Sequence, residues 1–184
     1  MVEWGPENQP AKNPESILSY EFVDAVMEGA RHNLVTHGSL ATTLFLQLEG
    51  GEKGMVLLSL PENDNGKRLY FTILGLSIKE SGRQIREAIL VPESWYVQTS
   101  QDSPLPLVSP EDHPARKEAI TLEGRDNLSQ RFIFAIQPFH RDFKSEPVFE
   151  PLLMGHYHPK PGQRFYTTGL LNNLFPEISV DHFN

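Results

Sequence analysis

The stretch 85–98 constrains this chain more than any other. It carries Ile85, Ala88, Ile89, Leu90 and Val91, then Trp95 and Val97. A near-continuous apolar run of this length is the pattern of a central strand buried on both faces. Pro92 interrupts it, and because proline has no backbone N–H to give a ladder, a bulge or a strand edge is expected there. Immediately beyond it, Glu93-Ser94-Trp95 sets an acid, a hydroxyl and a large aromatic side by side. On a strand Glu93 and Trp95 share one face and Ser94 takes the other.

Elements on either side follow from periodicity. Asn13-Pro14-Glu15 has the composition of a helix start, with a capping residue, a proline at the first helical position and an acid for the dipole. Ile17, Leu18, Phe22, Val23, Val26, Met27, Ala30 and Leu34 then recur at helical spacing, and Gly38 is a stop. Residues 40–48 and 55–60 read as strands of a hairpin closed by Glu49-Gly50-Gly51-Glu52-Lys53-Gly54. A second helix is expected over about 67–82, although Gly75 weakens it. After a loop at 99–115 with four prolines, residues 117–124 and 130–137 form a second hairpin.

The predicted fold is therefore α+β, a mostly antiparallel mixed sheet of about five strands with two helices on one face, in the order α-β-β-α-β-β-β. Residues 1–13 are expected to form a loose arm, 14–137 a single domain, and 138–184 an irregular tail packing on the domain or on a second subunit. Residues 170–175 are expected to make a helical turn within that tail.

Bulk properties exclude several function classes. The 184 residues carry a formal net charge of -8, so a phosphate backbone is repelled and nucleic acid is not an expected partner. Cysteine is absent, which removes disulfides, thiolate zinc sites, iron–sulfur clusters and cysteine nucleophiles. No apolar run approaches the roughly 20 residues needed to cross a bilayer, and the acidic start Met1-Val2-Glu3-Trp4 is unlike a signal peptide. A soluble cytoplasmic protein is the expectation.

The chain resembles a group of small bacterial proteins of unknown function. The likeness rests on the strand ending Glu93-Ser94-Trp95, the proline-rich loop, and a Pro-x-Arg-x-Glu-Ala segment at Pro114, Arg116, Glu118 and Ala119. It covers about 60 residues by the same numbering. It supports the fold and implies no activity.

Candidate chemistry centres on few residues. Trp95 could desolvate Glu93 and raise its pKa toward a general acid, with Arg116 orienting a substrate and Ser94 and Trp95 touching it. The plainer alternative makes Trp95 a core residue and Glu93 half of a cross-sheet ion pair, with Arg116 as the expected partner. His156-Tyr157-His158 has the spacing of two metal ligands on an extended segment. Together with the α-β-β-α order it resembles the zinc-dependent JAB/MPN isopeptidases, but their downstream Ser-x-x-Asp does not follow His158, so surface loop histidines are the expectation. His37, His113 and His140 stand alone, and His37 suits a helix C-terminus. Gly-x-Ser-x-Gly, Walker A and Gly-x-Gly-x-x-Gly motifs are absent, and Asp64-Asn65-Gly66 lacks the remaining acids of a calcium loop.

With no strong catalytic signature, the leading expectation is a protein- or ligand-interaction module without catalysis and without a cofactor, possible as a homo-oligomer or with a protein partner through 138–184. The aromatics Phe139, Phe143, Phe149, Tyr157, Phe165 and Tyr166 of that segment suggest an exposed surface. A hydrolase using Glu93, or a metal-dependent one using His156 and His158, is the alternative.

Overall fold

The computed structural model describes residues 3–4, 15–97, 112–129, 131–157 and 169–175. Strand β1 (Glu3–Trp4) precedes helix α1 (Tyr20–His37), the hairpin β2 (Thr43–Leu48) and β3 (Lys53–Leu57), and helix α2 (Asp64–Glu80). Strands β4 (Ile85–Val91), β5 (Glu93–Tyr96), β6 (Lys117–Asp126), β7 (Phe132–Arg141), β8 (Pro147–Phe149) and β9 (Leu153–Tyr157) follow, then a 3-10 turn at Leu170–Leu174. The class is α+β with two helices among the described residues, and every pairing between described strands is antiparallel.

The sheet runs β1-β3-β2-β4-β6-β7-β8, with β5 also on β6 and β9 also on β7. It has nine strands among the described residues rather than about five. Part of the excess is β5, which lies end to end with β4 along β6. Leu90 pairs with Glu123 and Glu93 with Ile120, so the register runs through Pro92 without a slip. Of the two outcomes expected at Pro92, the edge is found and the bulge is not. β2 reaches only Val91, and among the described residues β5 pairs with β6 alone. Pro92 still accepts a bond from Thr121 N–H at 3.1 Å, so only the donor half of that pair is lost. The irregularity falls instead between Gln47 and Leu48, where β2 shifts against β4.

Two more of the extra strands come from residues read as an irregular tail, and the last from the N-terminal arm. β7 continues to Arg141, and β8 and β9 pair with its two ends, Phe139 with Phe149 and Ile133 with His156. Phe139 is a buried core ring and Phe149 a half-buried one packed against it at 6.0 Å, so neither is an exposed aromatic. At the other terminus, Glu3 and Trp4 pair with Met55 and Gly54 of β3.

The helices lie on opposite faces of the sheet, not on one. Ile89 and Val91 of β4 pack with Val23, Met27, Ala30 and Leu34 of α1. Their neighbours Ala88 and Leu90 pack with Phe71 and Ile78 of α2. Successive residues of a strand point to opposite faces, so a strand buried at every apolar position needs a layer on each side.

The start of α1 also differs from expectation. Ser19, extended at φ -71 and ψ 151, caps the helix by accepting from Phe22 N–H, and Gly38 ends it in the left-handed region at φ 73. Ser16 and Ile17 are held by polar groups of the sheet, as described below, so the chain cannot wind into a helix before Ser19. Ile17 and Leu18 are nonetheless buried in the same core.

Gly75, the residue that weakens α2 as a sequence, is where the 3-10 turn crosses it. A Cβ added there would stand 2.3 Å from the Leu174 carbonyl oxygen. Glycine at an exposed helix site costs about 1 kcal/mol relative to alanine. Here the sign should invert: Gly75→Ala is expected to lose about 1–3 kcal/mol by overpacking, read by urea denaturation. A gain in stability would show that the 3-10 turn does not seat on α2.

Candidate functional site

Strand β2 reaches only as far as Val91, with which Thr43 pairs, so Glu93 emerges on β5 beyond the end of its neighbour. The chain leaving α1 passes through that opening. Leu40 N–H donates to Glu93 Oε2 at 3.2 Å, and Arg141 Nη2 donates to Glu93 Oε1 at 3.2 Å. Arg141 also donates from Nε to Glu118 Oε1 at 3.4 Å and from Nη1 to the Gly38 carbonyl at 3.1 Å. One guanidinium thus ties β5, β6 and β7 to the C-terminus of α1. Both oxygens of the Glu93 carboxylate are therefore engaged within the structure, one by a backbone N–H and one by a guanidinium.

The ion pair across the sheet is the arrangement expected of Glu93, but its partner is Arg141, not Arg116. Arg116 lies over the Trp95 ring, with its guanidinium carbon 4.4 Å from the centroid. Trp95 is 41% exposed, so it is a surface stacking platform and not a core residue. Ser94, on the opposite face, shares a 3.1 Å hydrogen bond with the Thr121 hydroxyl. The two segments that carry the resemblance described above are cross-strand partners, Ser94 opposite Ala119 and Trp95 opposite Glu118.

His156 sits on β9 opposite Ile133, with the Tyr20 ring edge-on at 4.2 Å. His158 lies outside the described residues, as do Phe165 and Tyr166. Among the described residues no three His, Asp or Glu side chains gather as a metal site. His113 Nδ1 accepts from Ala115 N–H at 3.1 Å in the turn before β6, and His37 closes α1.

Two further polar centres carry more of the structure than sequence reasoning assigned to them. Glu87 is buried in the apolar strand β4. Its Oε1 accepts from Ser16 Oγ at 2.7 Å and its Oε2 from Ile17 N–H at 2.8 Å. Arg131 Nη2 donates to Ser16 Oγ at 2.8 Å and stands 3.9 Å from Glu87 Oε1, and buried Gln47 accepts from Ile17 N–H at 3.3 Å. The signal was present: an acid inside a buried strand must find partners.

On the other face, the Arg125 guanidinium lies 5.3 Å from the Phe132 ring centroid and 5.1 Å from that of Phe175, and donates to Asn172 Oδ1. Burial lowers its pKa from the usual value, while the Glu123 carboxylate works in the opposite direction. This centre anchors the segment around the 3-10 turn.

No family model, no curated protein and no solved structure matches this chain. Among the described residues no helix is long and apolar enough to cross a membrane.

Two substitutions separate the arginines. Arg141→Met leaves Glu93 and Glu118 without their shared cation and should cost about 1–3 kcal/mol in chemical denaturation. Arg116→Ala should cost less than about 1 kcal/mol, as for an exposed cation–π pair. The reverse order would return Arg116 to the role expected from sequence. Glu87→Gln replaces one acceptor with a donor facing Ser16 Oγ or Ile17 N–H, and a loss of about 1–3 kcal/mol is expected by the same measurement.

Proposed function

We propose that this chain is a cytoplasmic interaction module that recognises a protein or ligand without catalysis. The observation that carries the reading is the use of Glu93. Its two oxygens are engaged by Leu40 N–H and Arg141, which makes it a structural anchor for α1 rather than a free acid or base. Arg116 is stacked on Trp95 and is not directed at a substrate beside Glu93.

The molecule also presents apolar side chains outward. Phe143, at the turn between β7 and β8, is 92% exposed, and Val148 and Leu153 are exposed on β8 and β9. These residues belong to the segment 138–157 and are available to a partner, as a second subunit or another protein. Exposed apolar surface is a feature of interaction sites.

The experiment is a panel of ester, phosphate, glycoside and peptide substrates with wild type and Glu93→Gln, alongside thermal melts. Turnover at the buffer rate for both proteins, with a lower Tm for Glu93→Gln, is the expected result. Wild-type turnover that Glu93→Gln abolishes at unchanged Tm would replace the interaction reading with a hydrolase.

A further inference from the structure

Asn65-Gly66 is the one Asn-Gly pair in the sequence, and it lies in the first turn of α2. Asparagine followed by glycine is the dipeptide most prone to lose its side-chain amide. Without a Cβ on the second residue, nothing obstructs the approach of its backbone nitrogen to the asparagine side chain.

The start of α2 acts on that chemistry in two opposite ways. Packing fixes the glycine. A Cβ added at Gly66 would stand 2.8 Å from Pro61 Cβ and 3.1 Å from Asn63 Oδ1, so the labile pair is built into the turn that sets Pro61 against the helix. Hydrogen bonding holds the nitrogen back. Gly66 N–H donates to Asn63 Oδ1 at 2.7 Å, which is the cap of α2, and Lys67 N–H donates to the Asn63 carbonyl at 3.0 Å. Asn65 between them is helical and exposed.

We propose that Asn65 is a slow deamidation site and that opening of this capped first turn sets its rate. In the reaction Gly66 N gives up its proton to solvent and attacks Asn65 Cγ. The N–Cγ bond forms, the Cγ–Nδ2 bond breaks, and Nδ2 leaves as ammonia with a proton from solvent. The cyclic imide then takes up one water. Opening at Cγ leaves aspartate. Opening at the main-chain carbonyl carbon leaves isoaspartate, with an extra methylene in the backbone. Nothing is oxidised or reduced.

The helix must open first. Ring closure needs the Gly66 nitrogen nearly eclipsed with Asn65 Cβ, which a helical ψ of about -42° excludes. Rotating Asn65 out of that well breaks both hydrogen bonds to Asn63, and helix ends are where such local opening is easiest. The two products then act differently on the same turn. Isoaspartate lengthens the chain between Asn63 and Gly66 and displaces the capped N–H. Aspartate adds an acid where the helix dipole favours one.

The test follows the full chain in mildly alkaline buffer. Peptide mapping with mass spectrometry reads the intact, aspartyl and isoaspartyl forms at Asn65, beside a synthetic peptide covering residues 61–67. Wild type should convert about tenfold or more slowly than the peptide. Asn63→Ala, which lacks the cap acceptor, should convert about fivefold faster than wild type, and Asn63→Asp, which keeps it, should not. Hydrogen exchange at the Gly66 and Lys67 amides of wild type supplies a reading that needs no variant. Its protection should match the retardation of deamidation to within about threefold.

Wild type that converts as fast as the peptide overturns the proposal, as does a folded Asn63→Ala that converts no faster than wild type. So does an Asn65 that stays intact in both proteins after the peptide has converted, or an amide protection far from the measured retardation. If Asn63→Ala fails to fold, the comparison of exchange with deamidation in wild type decides alone.

Discussion

Two cores meet at strand β4, and the rest of the molecule is arranged around that fact. Ile89 and Val91 belong to the core under α1, Ala88 and Leu90 to the core under α2. Side chains the size of Ile89, Leu90 and Val91 are each worth about 1.5–3 kcal/mol when fully removed from water, and that gain is available only if both faces are covered. The two helices are therefore coupled through the same few residues although they do not share a layer. The crossover from β3 through α2 to β4, with β2 between the two strands, is how the chain reaches the second face after α1 has taken the first.

Polar side chains lock the margins of these cores. Glu87 holds the segment before α1, Arg141 holds the segment after it, and Arg125 holds the turn that closes over α2. In each case a loop is tied to the sheet through groups that are costly to leave unpaired. This explains why residues that look chemically capable, Glu93 above all, are occupied within the structure. The exposed groups include Leu69, Ile73 and Leu76 of α2, Val148 and Leu153 of β8 and β9, and the Trp95–Arg116 stack.

Much of the fold was legible in local patterns. The run at β4, the hairpin of β2 and β3, the stop at Gly38 and the turn near residue 170 all follow from periodicity and turn chemistry. The misreadings share a cause. Arg116 is the partner the sequence suggests for Glu93, because it opens the strand after a loop that returns to this end. The register of β5, β6 and β7 puts Arg141 on the right face from two strands away. That register was invisible while β7 was thought to end at residue 137. Asn13 and Pro14 were a plausible helix start, but Ser16 and Ile17 are claimed by Glu87 and Gln47, so Ser19 became the cap.

By itself the sequence determined that β4 is buried on both sides, that two amphipathic helices exist, and that thiol chemistry is absent. These depend on side-chain type and short-range spacing, which a chain carries before it folds. Only the tertiary structure decided which helix covers which face, which cation meets Glu93, and that Gly75 is a seat for the Leu174 carbonyl. Those outcomes depend on contacts between residues far apart in the chain, such as Gly75 and Leu174, whose distance is set by strand register and layer order and not by any local preference.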